Sequence, residues 1–485
     1  MIVDSDPSYR LMPLRFSRIR RSPDRFAISS EGGETMLLDG STLRSLVGGR
    51  PLPAATARDL EARQMIVTDD GELAKRILAA KLRTKKAFLR GGPALHIFVV
   101  TLSCDHSCRY CQVSRSTGDA RMSFATAASA VDRLFESPAR ELTVEFQGGE
   151  PLLALDLIRA IVAMIKERNE SERRAIRFTM TSTLHHLDAD AADFLRNDSF
   201  HLSTSLDGPA EIHDVNRPLP SKDSHARTVA GIQRARAVLG HDGVAALTTI
   251  TRRSLEAPEA IVDEYVRLGF RSIFLRPLSP FGFAAKGARR QAYGSTAFLE
   301  FYERALRYIL TLNARGVEIE EVYASLLLRD ILTPFPSGYV DLRSPVGAGF
   351  GALVYNYDGG VYASDEGRML AEMGEQALRL GHVGESYASL MGSEAMQLLA
   401  ASGLAESQPG CSDCAYVHYC GPDPARALSA SGVPVDHKAS SDHCMRHTGL
   451  FELMFDLLDR GDGPTTETLR RWAHGRPAVR DRKIG

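Results

Sequence analysis

From residue 95 to residue 277 the chain alternates short apolar runs with longer stretches whose apolar positions recur every three or four residues. The runs LHIFVVTLS, ELTVEFQ, IRFTMTST, FHLSTSL, VAALTTIT and RSIFLRP read as β-strands. Between them the pattern predicts helices at 124–136, 154–169, 188–197, 224–239 and 256–268. Alternation of this kind builds βαβ units, and six strands in that order predict an α/β fold whose parallel sheet curves into a partial barrel. Ahead of it, RFAISS and TMLLD read as short strands, followed by helices near 41–47 and 71–86. The basic run AKLRTKKAFLR reads as a linker or a solvated helix. A helical stretch at 295–331 leads into a Gly- and Cys-rich C-terminal region, and the closing RRWAHGRPAVRDRKIG is expected to fray.

Composition narrows the picture. The 485 residues are 44% hydrophobic and 25% charged, an ordinary globular balance with room for two to four domains. A net charge of −1 gives no argument for nucleic-acid or anionic-membrane binding. No run approaches the roughly 18–20 apolar residues of a membrane span, and MIVDSDPSYR lacks the apolar core of a signal peptide. The expectation is a cytoplasmic protein whose thiols stay reduced. Its seven cysteines fall in two sets, three at 104–111 and four at 411–444, which favours two metal sites over a disulfide framework.

The chemistry sits just past the C-terminal ends of the predicted strands. TLSCDHSCRYCQ places Cys104, Cys108 and Cys111 after the first strand, and QGGEP, with Gly148, Gly149 and Glu150, follows the second. Thr181 and Ser182 follow the third strand, and Ser205 and Asp207 the fourth. Loops from successive strands of a parallel barrel converge on that face and build active sites there. Alone, a Gly-Gly pair is a turn and a strand-end Ser or Thr is a helix cap. Four such features in register with a cysteine triplet need another reason. Three thiols are one short of the closed shell usual for zinc or an electron-carrying cluster, so one metal position is left for a further ligand.

The C-x3-C-x2-C spacing, Tyr110 before the third cysteine and the strand-end motifs resemble the radical S-adenosylmethionine (SAM) enzymes over residues 95–280. The resemblance implies a partial (β/α)6 TIM-like barrel. It also implies a [4Fe–4S] cluster held by Cys104, Cys108 and Cys111, with SAM on the open iron. Reductive cleavage of S-adenosyl-L-methionine to a 5′-deoxyadenosyl radical then allows hydrogen abstraction from a substrate. Gly148, Gly149 and Glu150 would receive the methionine ammonium, and Thr181 and Ser182 would lie near the ribose and carboxylate. Ser205 stands at the analogous end of the fourth strand. Arg217, in HDVNRP, would pair with the methionine carboxylate, and Tyr110 would lie against the adenine. Asp207 reads either as part of this site or as a cap of the next segment.

The second set, CSDCAYVHYC followed by Cys444, has the spacing C-x2-C-x5-C-x23-C. From spacing alone, zinc and iron–sulfur both stay open. Behind such a core it resembles the SPASM extension of peptide-modifying enzymes, which commonly holds two auxiliary clusters. Val346, Ser364 and Pro424 stand where cysteines of the inner one would be expected. The resemblance therefore implies one auxiliary [4Fe–4S] cluster on Cys411, Cys414, Cys420 and Cys444, working in electron transfer. GAGFGA lacks the glycine spacing of a dinucleotide fingerprint. His185 and His186 read as surface or capping residues, His418 as surplus to a filled shell, and DEGRML as a salt-bridged helix start.

EFQGGEPLL, STSLDGPAEIHDVNRP, FLRPLSPFGFA and VYNYDGGVYASDEGRML together resemble the B-type maturase of the His-Xaa-Ser system. That resemblance implies modification of a ribosomally made precursor peptide or protein, with an external electron donor of flavodoxin or ferredoxin type and no nucleic-acid or membrane partner. Oxidation of a Cys or Ser residue, as by anaerobic sulfatase maturases, radical chemistry on a small metabolite, and a zinc-bound scaffold are the alternatives. The expected organisation starts with residues 1–88 as an α+β region similar to the small quinone-cofactor chaperones. This is a candidate peptide-recognition domain or a barrel cap. Residues 89–290 form the radical SAM core, 291–345 a helical bridge, 346–455 the SPASM-like domain and 456–485 a charged tail.

Overall fold

The computed structural model describes residues 9–113, 115–116, 118, 120–286 and 293–475. A three-stranded antiparallel sheet opens the chain: β1 (Leu14–Arg18), β2 (Arg25–Ser30) and β3 (Thr35–Asp39), with β2 in the middle. Helices Gly40–Val47, Ala54–Ala62 and Glu72–Lys85 follow. Ile28, Leu38, Leu43, Leu46 and Leu60 give this region its own small core.

The barrel strands come next: β4 (Leu95–Thr101), β5 (Glu141–Gly148), β6 (Ala175–Thr181), β7 (His201–Ser205), β8 (Val244–Ile250) and β9 (Leu275–Pro277). All five neighbouring pairs run parallel, with Phe98 opposite Phe146 and Val144 opposite Phe178. Each crossover carries a helix, as the apolar periodicity predicted, and local chemistry sets where these begin. Ser123 accepts from Thr126 N to start Phe124–Glu136, and Asp188 accepts from Ala191 N to start Ala189–Asn197. The outward alternates of the strands pack beneath the helices, where the rings of Phe146, Phe178 and Phe200 lie 5.4–6.5 Å apart.

Three expectations change. The sixth strand is split: Ser272–Ile273 pairs with Glu320–Glu321, while β9 stays on β8. The buried Glu321 carboxylate causes the break, accepting from Leu275 N at 3.2 Å and capping the helix Val322–Leu332. The helical stretch at 295–331 is accordingly two helices, Ser295–Ala314 and Val322–Leu332.

The second change concerns the C-terminal region, which joins the barrel sheet. β10 (Ala352–Tyr355) pairs parallel with the free edge of β4, and β11 (Gly360–Tyr362) and β12 (Arg379–His382) extend it antiparallel. The third is the tail. Helix Asp442–Arg460 runs through the expected boundary at 456, and helix Gly463–His474 follows it, capped by Asp462. Leu469, Trp472 and Ala473 are buried because they share one face, with the charges on the other. The stretch from 476 to 485 lies outside the described residues.

The N-terminal region is not hung on a linker. Ser22 donates to Asp456 at 2.9 Å, Arg25 pairs with Asp459 at 2.9 Å, and Lys86 reaches Glu406 at 2.6 Å. No helix among the described residues is long and apolar enough to cross a membrane. Trp472→Ala should cost about 3 kcal/mol of stability, as for other buried aromatics, and lower the urea midpoint. An unchanged midpoint would return residues 463–474 to the role of a tail.

Candidate active site

Beyond Thr101 the chain turns into the cysteine loop, and its start is set by backbone contact with the end of β5. Gly149 N donates to Thr101 O and Glu150 N to Ser103 O, each at 2.8 Å. A Cβ on Gly148 would stand 2.0 Å from Thr101 O, and one on Gly149 would stand 2.2 Å from Ser103 O. The two glycines are there for this approach. Beneath the loop, His106 Nδ1 lies 2.8 Å from Asp105 Oδ1, while His185 and His186 face Asp105 Oδ2 at 3.5 and 3.3 Å. Burial works against the Asp105 carboxylate, yet hydrogen bonds from His106 and His185 hold it well below the usual range. Ser224 Oγ then links His106 to His213, at 2.9 and 3.1 Å. The His185 side chain is therefore fully buried under the loop, not a surface group; His186 keeps 38% exposure.

Cys104, Cys108 and Cys111 line, with Tyr110, a 670 Å³ cavity in the barrel mouth. Burial pushes the Cys104 thiol up to about 12 and the Cys108 thiol up to about 11. At neutral pH such thiols keep their protons unless a metal draws them off. Three sulfur donors on one loop facing an open chamber suit a cluster with one free position.

Gly148, Gly149, Thr181, Ser182, Ser205 and Arg217 line the same cavity. Glu150 does not. Fully buried, it accepts from Ser182 Oγ at 2.7 Å, Leu152 N at 2.9 Å and Thr183 N at 2.7 Å. Its carboxylate clamps the ends of β5 and β6 together. Tyr110 OH donates to Asp207 Oδ1 at 3.1 Å and accepts from Arg217 Nη1 at 3.0 Å. Asp207 is thus no cap; it is buried behind Tyr110 and also takes Thr249 N at 3.3 Å. Arg217 Nε, on the cavity wall, has no hydrogen-bond partner among the described residues, so polar capacity is left there that a polar ligand would complete.

The inner barrel wall escaped the sequence reading. Thr143, Glu145 and Gln147 of β5, Thr179 of β6, Ser203 of β7, Thr249 of β8 and Arg276 of β9 all face the cavity. The signal was the alternation in ELTVEFQ, whose apolar residues Leu142, Val144 and Phe146 are buried against the helices. Strands buried in apolar surroundings on both faces read as continuous apolar runs, so polar alternates mark a chamber.

Cys411, Cys414, Cys420 and Cys444 meet where the turns at 411–420 face the start of helix Asp442–Arg460. Burial first, then the other three sulfurs, pushes the Cys420 thiol up. Among the described residues one trio of ligand atoms lies mutually within 4.8 Å, that of Cys104, Asp105 and His106, and none is formed by these four cysteines. The three positions that a further set of cysteines would occupy line the cavity and carry no thiol. Ser364 caps helix Asp365–Glu372, Pro424 opens helix Pro424–Ser431, and Val346 packs against Gly403. DEGRML does start a salt-bridged helix, with Arg368 and Asp365 2.8 Å apart.

Across the cavity from the cysteine loop stand Asp341, Glu366, Asp423, Arg276 and Arg446. Burial, then neighbouring carboxylates, raises both Asp341 and Glu366. A carboxyl that binds its proton more tightly folded than unfolded adds stability at low pH and loses it as pH rises through its folded value. Between about pH 4 and pH 8 the melting temperature should therefore fall, and Glu366→Gln should flatten that fall. Parallel pH profiles for the two proteins would refute the assignment.

The Radical SAM superfamily profile matches residues 98–265. The chain is 30% identical over 222 residues to an uncharacterized protein of Methanothermobacter thermautotrophicus, covering 45% of this chain and 78% of that one. It is 30% identical over 136 residues to a cysteine-type anaerobic sulfatase-maturating enzyme of Clostridium perfringens, covering 26% of this chain and 36% of that enzyme. The fold is shared with anSMEcpe carrying bound AdoMet and a peptide, at a TM-score of 0.62 and 20% identity over 76% of this chain and 98% of that one. Streptococcus suis SuiB bound to precursor peptide SuiA gives 0.54 and 12% identity over 90% and 99%. With the three-cysteine loop at the mouth of a parallel half-barrel, the chain belongs to the radical SAM superfamily, whose enzymes use a [4Fe–4S] cluster and SAM.

Proposed function

We propose that this radical SAM enzyme modifies a ribosomally synthesised peptide or protein, as the resemblance to His-Xaa-Ser maturases suggests. The observation that carries the reading is the three-thiol loop opening onto a polar 670 Å³ chamber, in a chain that also holds a small N-terminal sheet whose β3 edge pairs with no further strand among the described residues.

When bound, the cluster and SAM supply one-electron cleavage and a 5′-deoxyadenosyl radical able to abstract hydrogen. The chain's own residues bind and orient. Cys104, Cys108 and Cys111 would hold the cluster. The bare backbone at Gly148 and Gly149 lets the methionine end of SAM come close, and Arg217 offers its carboxylate a guanidinium. Burial works against the charge of Arg217, but Cys108, Tyr110 and Asp207 hold it in place. Thr181 and Ser205 supply hydroxyls, Ser182 is aimed by Glu150, and the Tyr110 ring forms an adenine wall.

Cys411, Cys414, Cys420 and Cys444 would hold one auxiliary [4Fe–4S] cluster, passing electrons with an external flavodoxin- or ferredoxin-type donor. A tetrahedral zinc, with Zn–S near 2.3 Å, needs its sulfurs about 3.8 Å apart, closer than these four stand as a set. Sulfatase maturation is a second reading, supported by the 30% identity to the clostridial enzyme over 26% of the chain. Val346, Ser364 and Pro424 offer no thiolate, which weighs against a second auxiliary cluster.

Peptide binding fits the outer edge of β3, which pairs only with β2 among the described residues. Beside it lies helix Glu72–Lys85, tied down by Lys81, which reaches Glu34 and Gln64 at 2.7 Å. Leu73 and Ile77 continue the Lys81 face at i, i+4 spacing and are 66% and 37% exposed. A precursor strand would pair with the β3 backbone and cover that stripe.

Anaerobically reconstituted protein should hold about eight irons, and Cys414→Ala about four with SAM binding intact. Cys108→Ala should abolish 5′-deoxyadenosine formation; undiminished formation would end the radical assignment. Leu73→Asp with Ile77→Asp should lower modification of a co-expressed precursor at least tenfold, read by mass spectrometry, with uncoupled SAM cleavage unchanged. Full modification by that variant would move recognition off this sheet.

A further inference from the structure

The loop that carries Cys411, Cys414 and Cys420 is pinched between two bodies. On one side the Tyr416 ring stacks on Phe451 and Phe455, at 5.3 and 5.9 Å, on the helix that bears Cys444. On the other side stands the N-terminal sheet. Arg15 Nε donates to Ser412 O, inside the C-x2-C turn, and Ala415 N donates to Ser17 Oγ at 3.4 Å. Tyr419 OH donates to Gly33 O at 2.7 Å and also bonds Thr35 Oγ1. Arg15 is itself anchored, with Nη1 2.6 Å from Glu31 and 3.5 Å from His418 Nε2, and its side chain is only 15% exposed.

These contacts have a direct consequence for metal binding. A turn that presents two of four ligands must be held before the metal arrives, because ordering it afterwards costs entropy at each residue. Four thiolates around a metal also carry net negative charge, which a fixed guanidinium nearby offsets. Arg15 and Ser17 of β1 contribute to both, the contacts of Gly33 and Thr35 add to the first, and Lys438 beside Cys411 adds to the second. We infer that Arg15 is a positioning residue of the C-terminal cysteine site, and that the N-terminal sheet is a structural half of that site. Strand β1 is seated on the cysteine loop through Arg15 and Ser17, and the start of β3 reaches the same loop through Thr35.

The inference rests on Cys411, Cys414, Cys420 and Cys444 holding metal, and the experiment separates the two ideas. Full-length reconstituted protein is challenged with a chelator, and iron and zinc per chain are followed by elemental analysis, with Cys414→Ala marking complete loss from this site. Arg15→Gln should lose the C-terminal metal at least tenfold faster than wild type. Arg15→Lys should recover part of the retention, because it restores charge and a donor. Arg18→Gln, on the same strand but with its side chain bonded only to Pro23 O among the described residues, should behave as wild type. In Arg15→Gln the midpoint potential of the auxiliary cluster, read by EPR titration, should fall by about 59 mV, a tenfold change in the reduced-to-oxidised ratio. Retention and potential at wild-type values in Arg15→Gln, with Cys414→Ala losing metal, would overturn the role of Arg15 alone. Equal loss in Arg18→Gln would overturn it too. No metal lost in Cys414→Ala would overturn the reading of the site itself and this inference with it.

Discussion

The backbone of Gly148 and Gly149 lies against Thr101 and Ser103 at a distance that no side chain permits. On that contact the posture of the cysteine loop depends. Two amide hydrogen bonds cross it, and the next residue, Glu150, reaches on to Ser182 and Thr183. The first three strand ends are thereby joined in one rigid corner. Its far side is held by Asp105 and the histidines around it, so the loop is fixed from two directions before any cofactor binds. Preorganisation of this kind is what lets binding energy go into orienting ligands.

The chamber in front of that corner is shared property. Its barrel side is polar because alternate residues of β5, β6, β7 and β8 point inward, and its other wall comes from the chain after residue 340. β10 makes that wall possible by pairing with β4, which continues the barrel sheet into the C-terminal domain. The carboxylates of Asp341 and Glu366 and the guanidinium of Arg276 thus face groups on strands far from them in sequence. Buried charges of both signs in one cavity favour a polar occupant over an apolar one.

The N-terminal sheet completes the assembly. Its strands were legible, but its attachment was not. Short amphipathic strands with a small core look like an independent module. Yet Arg15, Ser17 and Gly33 spend their polar groups on the C-terminal cysteine loop. The N-terminal sheet and the C-terminal cysteine loop form one scaffold.

Local pattern carried much of this protein. Apolar periodicity located the barrel strands and the crossover helices, because each needs one face buried whatever its neighbours are. Cysteine spacing located both cysteine loops, since residues a few positions apart stay close in any fold. The TMLLD and RFAISS strands and the Asp365 helix start were equally readable. Tertiary structure alone decided the rest. The motif gives no sign that Glu150 is also a clamp, which it is because Ser182 and Thr183 meet it across the sheet. His185 reads as a surface residue, but the cysteine loop folds over it. The four residues of β10 are too few to announce a strand, and only the unpaired edge of β4 makes them one. Helix Gly463–His474 reads as a charged tail until Leu469 and Trp472 find apolar partners. In each case the deciding partner is distant in sequence, and a pattern read along one chain has no term for a contact that exists only after folding.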